Sequence, residues 1–265
     1  MQSFKSIISQ QKSSQLATAF VSIVIAVVIL TSFSVVGLFD SQRISEGLPA
    51  IGTLVKEMVP PNFSRWQEWL IPLRDSVAMS IAGTSIAVII SVPLSVLAAR
   101  TTSPNNLIYS FSRLLLNCLR SVPELIMGII FVAAVGFGQL PGALALGLHS
   151  VGMVGKFYAE SIELLDKDPI EAITSTGATH FQVVTRCILP LVFPQMADVG
   201  LYRWEYNFRA SLVVGAVGAG GLGLEIVSSL RIMNYQEVLA LLMVVLIMVT
   251  IVDGLSTALR KRVSS

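Results

Sequence analysis

From Leu16 to Leu38 the chain carries no charged side chain, and that run limits what the sequence can fold into more than any other feature. As a helix rising 1.5 Å per residue it is long enough to cross about 30 Å of hydrocarbon. It is too long for the core of a signal peptide and lacks a small-residue cleavage site, so it reads as a retained transmembrane helix. The rest of the chain continues the theme. Only 13% of its 265 residues are charged, against about 25% in a soluble domain. Such a chain cannot cover a water-facing exterior, which leaves the bilayer as its solvent. A net charge of +2, from 18 Lys and Arg against 16 Asp and Glu, gives no footprint for a nucleic-acid partner. Cys118 and Cys187 cannot make a disulfide framework.

After the first helix (16–38), residues 39–75 turn polar and read as an extracytoplasmic or interfacial loop. Within it a short amphipathic helix is expected from Glu46 to Val59. Pro60-Pro61 ends it, and Trp66 and Trp69 suit a membrane–water interface. Further spans are expected at Ser76 to Ala99, Leu114 to Phe137 and Ala143 to Phe157, then from Ile188, and from Val238 to Leu259. The fold class is therefore an all-α integral membrane protein of about six transmembrane helices, with a membrane core at 76–259 and tails at 1–15 and 260–265. An N-in, C-in arrangement puts Lys5, Lys12, Arg100, Arg113, Arg120, Lys156, Lys167, Arg186, Arg260, Lys261 and Arg262 on the cytoplasmic side. It leaves Arg43, Lys56, Arg65, Arg74 and Arg231 outside, as the positive-inside rule favours. No internal repeat suggests the inverted halves of many secondary transporters.

The long polar stretch after the fourth span reads as two short helices meeting at a glycine. Asp168 is expected to cap the first, with Pro169 at the first helical position and Glu171 reaching back as in a capping box. Gly177 ends that helix, and Thr179 with Gln182 starts the second. Glu171-Ala172, Gly177 and Leu189-Pro190 fall in the register of the EAA signature, so the segment resembles that of ABC importer permeases. Ile173 replaces the second alanine, and Cys187 stands where isoleucine is usual. The resemblance implies that loop 160–187 is a coupling helix docking on a cytoplasmic ATPase. Asp168, Pro169, Glu171, Ala172, Gly177, Ala178, Leu189 and Pro190 would be its working residues. The chain has no phosphate-binding loop of its own: Gly152-Met153-Val154-Gly155-Lys156-Phe157 has the wrong spacing and ends in Phe. No His, Cys or carboxylate cluster has metal-ligand spacing, and neither His149 nor His180 has a nucleophile to pair with. The chain is therefore not expected to be an enzyme, and ATP and Mg would belong to a partner.

The fifth span carries charge into the membrane. Arg203 lies 13 residues past Pro190, about 20 Å along a helix. A charge at that depth costs at least about 2.5 to 3.5 kcal/mol unless it is paired or faces water. Glu205 and Arg209 are one turn apart and can pair, whereas Arg203 points elsewhere. A positive excess lining a cavity would suit an anion, and Arg is the preferred fork for phosphate-type oxygens. The same residues, with Asn207, can equally serve to lock helices together. Gly215, Gly218, Gly220, Gly221 and Gly223 crowd the end of the span, and irregular backbone there must line a cavity or be buried, so 215–223 reads as pathway or gate. His149 can donate to a substrate or hold two helices together. Arg120 with Glu124, Lys156 with Glu160, and Asp253 with Thr257 read as structural pairs; Asp198 has no evident partner.

The run Arg203 to Gly223, with Arg120 to Leu125, Leu148 to Glu160 and Val252-Asp253, resembles the phosphonate-type permeases over about residues 45 to 262. That family implies a type I ABC importer permease (MetI-like) fold in the bacterial inner membrane. It also implies a second copy of the chain, two ABC ATPase subunits and an extracytoplasmic substrate-binding protein. The substrate would be a phosphorus oxyanion: phosphonate, phosphite or hypophosphite. The alternatives are an ABC permease for methionine or another small solute, and an ATP-independent transporter or channel.

Overall fold

The computed structural model describes residues 2–263, with side chains at 15 and from 18 onward. The chain is all-α over those residues and divides into two units, Met1–Val59 and Pro60–Ser265. The expected tail 1–15, Lys5 and Lys12 among it, has its side chains outside the described residues except at Gln15, and residues 264 and 265 of the other tail also lie outside them.

In the first unit, α1 (Gln2–Val35) holds the apolar stretch Thr18–Val35. Its Thr31 and Ser32 hydroxyls donate back to the carbonyls of Val27 and Val28 at 2.8 and 2.7 Å, which satisfies them where no water is available. The following helix, α2 (Ser41–Met58), starts earlier than the expected Glu46 because Asp40 caps it. The Asp40 carboxylate accepts the backbone N–H groups of Gln42 and Arg43. It ends where Val59, held extended by the proline that follows, leaves the helical region.

The second unit contains α3 (Leu70–Ala98), α4 (Asn106–Ser121), α5 (Glu124–Val135), α6 (Gln139–Glu163), α7 (Lys167–Ser175), α8 (His180–Val183), α9 (Leu189–Val214), α10 (Gly221–Arg231) and α11 (Tyr235–Val263). Its axis is α6, which packs on α3, α4, α5 and α9. Small residues let α3 and α6 approach closely: a Cβ on Gly83 would lie 2.9 Å from that of Leu146, and one on Gly147 3.0 Å from Ile86. Among the described residues four helices are long and apolar enough to cross a membrane, and α4 with α5 make a fifth if the bent pair is one span. The 25 residues of α6 are also long enough, at about 38 Å. Protein rather than lipid surrounds most of this helix, so it can afford His149, Lys156 and its glycines.

Several expectations are corrected. The straight span from Leu114 to Phe137 is two helices meeting at 85°. Pro123 forces Val122 into extended backbone, so the chain turns there and α5 starts afresh at Glu124. The bend also separates Arg120 from Glu124, and Arg120 donates to Asn117 instead. Helix α3 begins at Leu70, not Ser76; Asp75 is buried in it and accepts from Gln139 at 2.6 Å and from Arg74. Helix α11 runs beyond both expected ends because each end is pinned by an ion pair, Glu237 to Arg65 and Arg260 to Glu205. Arg260, counted above with the free basic residues of one face, is thus engaged between helices.

The two helices of the polar stretch are present, with one change. Helix α7 starts at Lys167 after Asp166, whose side chain makes no capping bond. Asp168 is therefore not the cap and Glu171 closes no capping box: Asp168 sits inside the first turn, where the helix dipole favours a carboxylate. Pro169 occupies the third helical position, whose N–H would have no partner in any case. Gly177 stops the helix with a φ of +83°. Thr179 and Gln182 make the expected capping box. Because Pro190 cannot donate, the chain enters α9 through a π-helical turn at Val184–Ile188.

Candidate functional site

Helix α9 presents polar groups to two different neighbours. Towards α6 and α3, Arg203 is 6% exposed and donates from Nε to the Ser150 hydroxyl at 2.7 Å. Ser150 donates onward to Asn207 Oδ1 at 2.9 Å, and Asn207 donates from its amide to the Thr84 hydroxyl at 2.9 Å. Thr84 returns its proton to the carbonyl of Ser80. One buried donor beside this chain stays open: Arg203 Nη2 has no hydrogen-bond partner among the described residues. The guanidinium lies over the ring of Tyr206, 4.1 Å from its centroid.

Tyr206 connects this chain to a second group. Its hydroxyl donates to Glu124 Oε1 at 2.7 Å, and Glu124 Oε2 lies 3.3 Å from Nε2 of His149. The other ring nitrogen of His149, Nδ1, is 3.0 Å from the carbonyl of Val122, the group that the bend before Pro123 releases from its helix. His149 therefore holds α6 to the α4–α5 corner, and Glu124 brings the start of α5 to α9.

Towards α11 the arrangement is of another kind. Glu205, as buried as Arg203, pairs with Arg260 at 2.5 Å and with Arg209 at 3.8 Å. Arg209 also reaches Asp253 at 3.6 Å, and Arg260 lies 3.9 Å from Asp198. The pairing of Glu205 with Arg209 is present, Asp253 faces Arg209 rather than Thr257, and Asp198 has a partner in Arg260. Lys156 and Glu160 pair at 3.6 Å.

At the end of α9 the glycine run leaves regular helix. Gly215–Ala219 is a π-helical turn interrupted at Gly218, where φ is +113°. Gly220 and Gly221 also have positive φ before α10 begins. A Cβ on Gly218 would lie 2.7 Å from the Phe137 ring, and one on Gly223 would strike the carbonyl of Leu212. The Gly218 carbonyl accepts from the N–H of Gly138, so the α5–α6 turn is fastened to this segment. At the opposite end, Asp168, Pro169, Glu171, Ala172 and Gly177 are exposed, as is Pro190, while Ala178 and Leu189 are half-buried. Ile170 and Ile173 turn the apolar side of α7 onto the core. His180 Nε2, 2.9 Å from the Thr102 carbonyl, ties α8 to the α3–α4 connection.

A concavity of about 700 Å3 between α3, α9 and α11 is lined by Ile81, Val88, Val92, Phe193, Met196, Leu259 and their neighbours. Its lining carries no charge, so it suits acyl chains rather than an anion. The polar surface lies elsewhere. Tyr202, Tyr206 and Arg209 are exposed on α9, next to half-buried Glu124 on α5. Groups of that kind inside a membrane protein face a partner or a water-filled cavity rather than lipid. Reading the sequence missed Glu124, Tyr206, Ser150 and Thr84 as members of one cluster. The available signals were Pro123, which restarts a helix at Glu124, and the one-turn spacing of Arg203, Tyr206 and Asn207.

Comparison with known proteins follows the same lines. The description "binding-protein-dependent transport system inner membrane component" matches residues 91–265. The chain is 60% identical to the phosphite transport system permease protein PtxC of Stutzerimonas stutzeri, over 91% of this chain and 87% of that protein. It is 38% identical to the putative phosphite transport system permease protein HtxC of the same organism, over 83% of this chain and 78% of that one. Among solved structures, a chain of the MetNI methionine ABC transporter in an inward-facing conformation superposes with a TM-score of 0.66. It does so at 21% identity, over 76% of this chain and 99% of that chain, which speaks to the fold alone.

Proposed function

Since the chain belongs to the family of binding-protein-dependent transport system inner membrane components, we propose that it is the permease subunit of an ABC importer for a phosphorus oxyanion, phosphite or a phosphonate. Family membership brings an ATPase and a substrate-binding protein as partners. The finer reading is that two copies of the chain meet along the exposed α5 and α9 faces, with both termini cytoplasmic. The observation that carries it is Arg203: a buried guanidinium whose Nη2 has no hydrogen-bond partner, lying over the ring of Tyr206, whose hydroxyl donates to Glu124. A cation held ready in that way supplies the charge an oxyanion needs and cannot find in hydrocarbon.

Alternating access follows from how the ends are built. The exposed α7 is short, rigid and separated from the long α9 rod by Gly177 and a capped turn. A push on α7 from a closing ATPase is passed to α9, and through His180 and Thr102 to α3 and α4 as well. At the other end, the contact between Gly218 and the Phe137 turn is a closure that can part when α9 tilts away from α5. Opening one end while the other stays packed moves the anion past Arg203 without a continuous pore.

The test is ATP-driven uptake of phosphite by the assembled transporter in proteoliposomes, with methionine as competitor. Uptake that needs both partner proteins and ignores methionine supports the reading; inhibition by methionine would replace the substrate. A transporter carrying Glu171→Ala is expected to bind ATP normally on its ATPase subunits yet lose substrate-stimulated hydrolysis. Unchanged stimulation removes α7 from the coupling role.

A further inference from the structure

The groove between α3, α9 and α11 is apolar everywhere but at one point. Three of the four side-chain donors in its lining are spent within the protein. Thr84 donates to the Ser80 carbonyl at 2.7 Å, Ser85 to the Ile81 carbonyl at 2.8 Å, and Trp204 Nε1 to the Ser80 hydroxyl at 3.2 Å. The fourth, Tyr158, is 1% exposed and makes no hydrogen bond among the described residues. Its hydroxyl is located by a neighbour: a Cβ on Gly200 would lie 3.3 Å from it and 3.4 Å from Val88, and Gly200 and Val88 both line the groove. A hydroxyl left without an acceptor in hydrocarbon costs free energy that an arriving oxygen would return. The groove therefore fits an occupant that is apolar along most of its length and carries one acceptor.

Length and charge select among occupants. The lining runs from Ile81 to Val92 on α3 and from Phe193 to Trp204 on α9, a rise of about 16 Å on each helix. A partner helix crossing the bilayer would need about 30 Å of contact, whereas the chain of a lipid in one leaflet needs about half of that. The last turn of α11 closes the groove with Leu259 and Val263, and Arg260, Lys261 and Arg262 stand between those two. Arg260 pairs with Asp198 and Glu205, which lie on either side of Gly200 along α9, so charged groups reach the height of the Tyr158 hydroxyl. Lys261 and Arg262 are exposed at the same end. A phosphate there meets basic side chains, and a glycerol ester carbonyl just below it meets Tyr158. The acyl chain then continues along α3 and α9 towards Ile81 and Trp204.

We propose that this groove binds one anionic phospholipid, with its phosphate beside the end of α11, an ester carbonyl accepting from Tyr158 and one acyl chain laid between α3 and α9. Trp204, in the lining, is a built-in reporter. The assembled transporter is reconstituted in phosphatidylcholine vesicles holding about one phosphatidylglycerol in ten lipids. Bromine, a short-range fluorescence quencher, is carried on the chains of the phosphatidylglycerol or, in a second preparation, of an equal amount of the phosphatidylcholine. The Trp204 signal is the difference between the wild type and Trp204→Phe, which cancels every other tryptophan in the assembly. Brominated phosphatidylglycerol is expected to quench that signal at least about threefold more than brominated phosphatidylcholine. Equal quenching by the two lipids overturns the proposal. Quenching by neither overturns it as well, and shows that protein, a second copy of the chain or another helix, covers the groove. In Tyr158→Phe, quenching by phosphatidylglycerol should fall about threefold, the loss of one hydrogen bond; unchanged quenching removes the ester contact on which the site is built. Replacing Lys261 and Arg262 together by Gln should make the two lipids equal, and a preference that survives shows that the phosphate does not lie at the end of α11. Because no readout involves phosphite or ATP, a transporter that fails to import phosphite would contradict the assignment of substrate and leave these outcomes as they are.

Discussion

The two polar faces of α9 differ in whether their charges are spent. On the α11 side, Glu205, Arg209, Asp253, Arg260 and Asp198 alternate in sign, and each lies within 4 Å of an opposite charge. On the α6 side, Arg203 is equally buried but meets only neutral oxygens and an aromatic ring, and keeps a nitrogen open. Charges of similar depth on one helix thus divide into a fastening and a vacancy. The paired network holds helices together because removing one partner strands another, even though Asp253 Oδ1 accepts no hydrogen bond and meets Arg209 only at ion-pair distance. An unsaturated one raises the energy of the empty state and lowers it again only when something fills it.

That contrast can be broken most directly at Glu205. Truncation to alanine strands Arg260 and Arg209, and breaking a buried pair costs about 3 to 5 kcal/mol. The variant should unfold at a lower fraction of denaturing detergent, and uptake should fall only in proportion to the folded protein remaining. Arg203→Ala should do the reverse. We expect uptake at least tenfold lower, with a stability loss near 1 kcal/mol, since one hydrogen bond to Ser150 goes and an unsatisfied donor goes with it. If Arg203→Ala proves as destabilising as Glu205→Ala, the two faces are alike and the vacancy is an accident of packing. Tyr206→Phe removes the hydroxyl that holds Glu124 in place while keeping the ring under Arg203. Its effect should be about threefold on the concentration dependence of uptake, equivalent to less than about 1 kcal/mol. Smallest of all is Lys156→Ala, which breaks a half-exposed one-turn pair on α6 worth about 0.5 kcal/mol or less. A large effect there would place the path along a different face of α6.

Much of this was visible in the chain itself. The apolar stretches mark the Thr18–Val35 part of α1, though not its start at Gln2, and the ends of α3 and α11 to within about six residues, because length and hydropathy alone decide what can cross hydrocarbon. Capping signals located α8, where Thr179 and Gln182 satisfy each other locally. They misplaced the start of α7, where Asp166, Asp168 and Pro169 all satisfy a start rule and only the packing of Ile170 and Ile173 on the core selects among them. Pro123 falls inside the expected span from Leu114 to Phe137, where the structure turns a near right-angled corner. Proline says that a helix must break but not by how much, and the 85° comes from where α6 receives the corner through His149.

By itself the sequence determined the solvent, the helical class, the polar loop with its glycine hinge, and the division of α9 into faces. Residues two apart point about 200° apart on any helix, so Arg203 and Glu205 had to look at different neighbours. Which neighbours they found was decided by tertiary structure alone. Ser150 and Glu124 are 53 and 82 positions from the residues of α9 they touch, and Arg260 is 55. Local pattern has no information about such partners, because they are selected by how α5, α6 and α11 fill the space around α9. Whether a buried charge is paired or left open is therefore a property of the assembled helices, and here it separates the fastening from the proposed site.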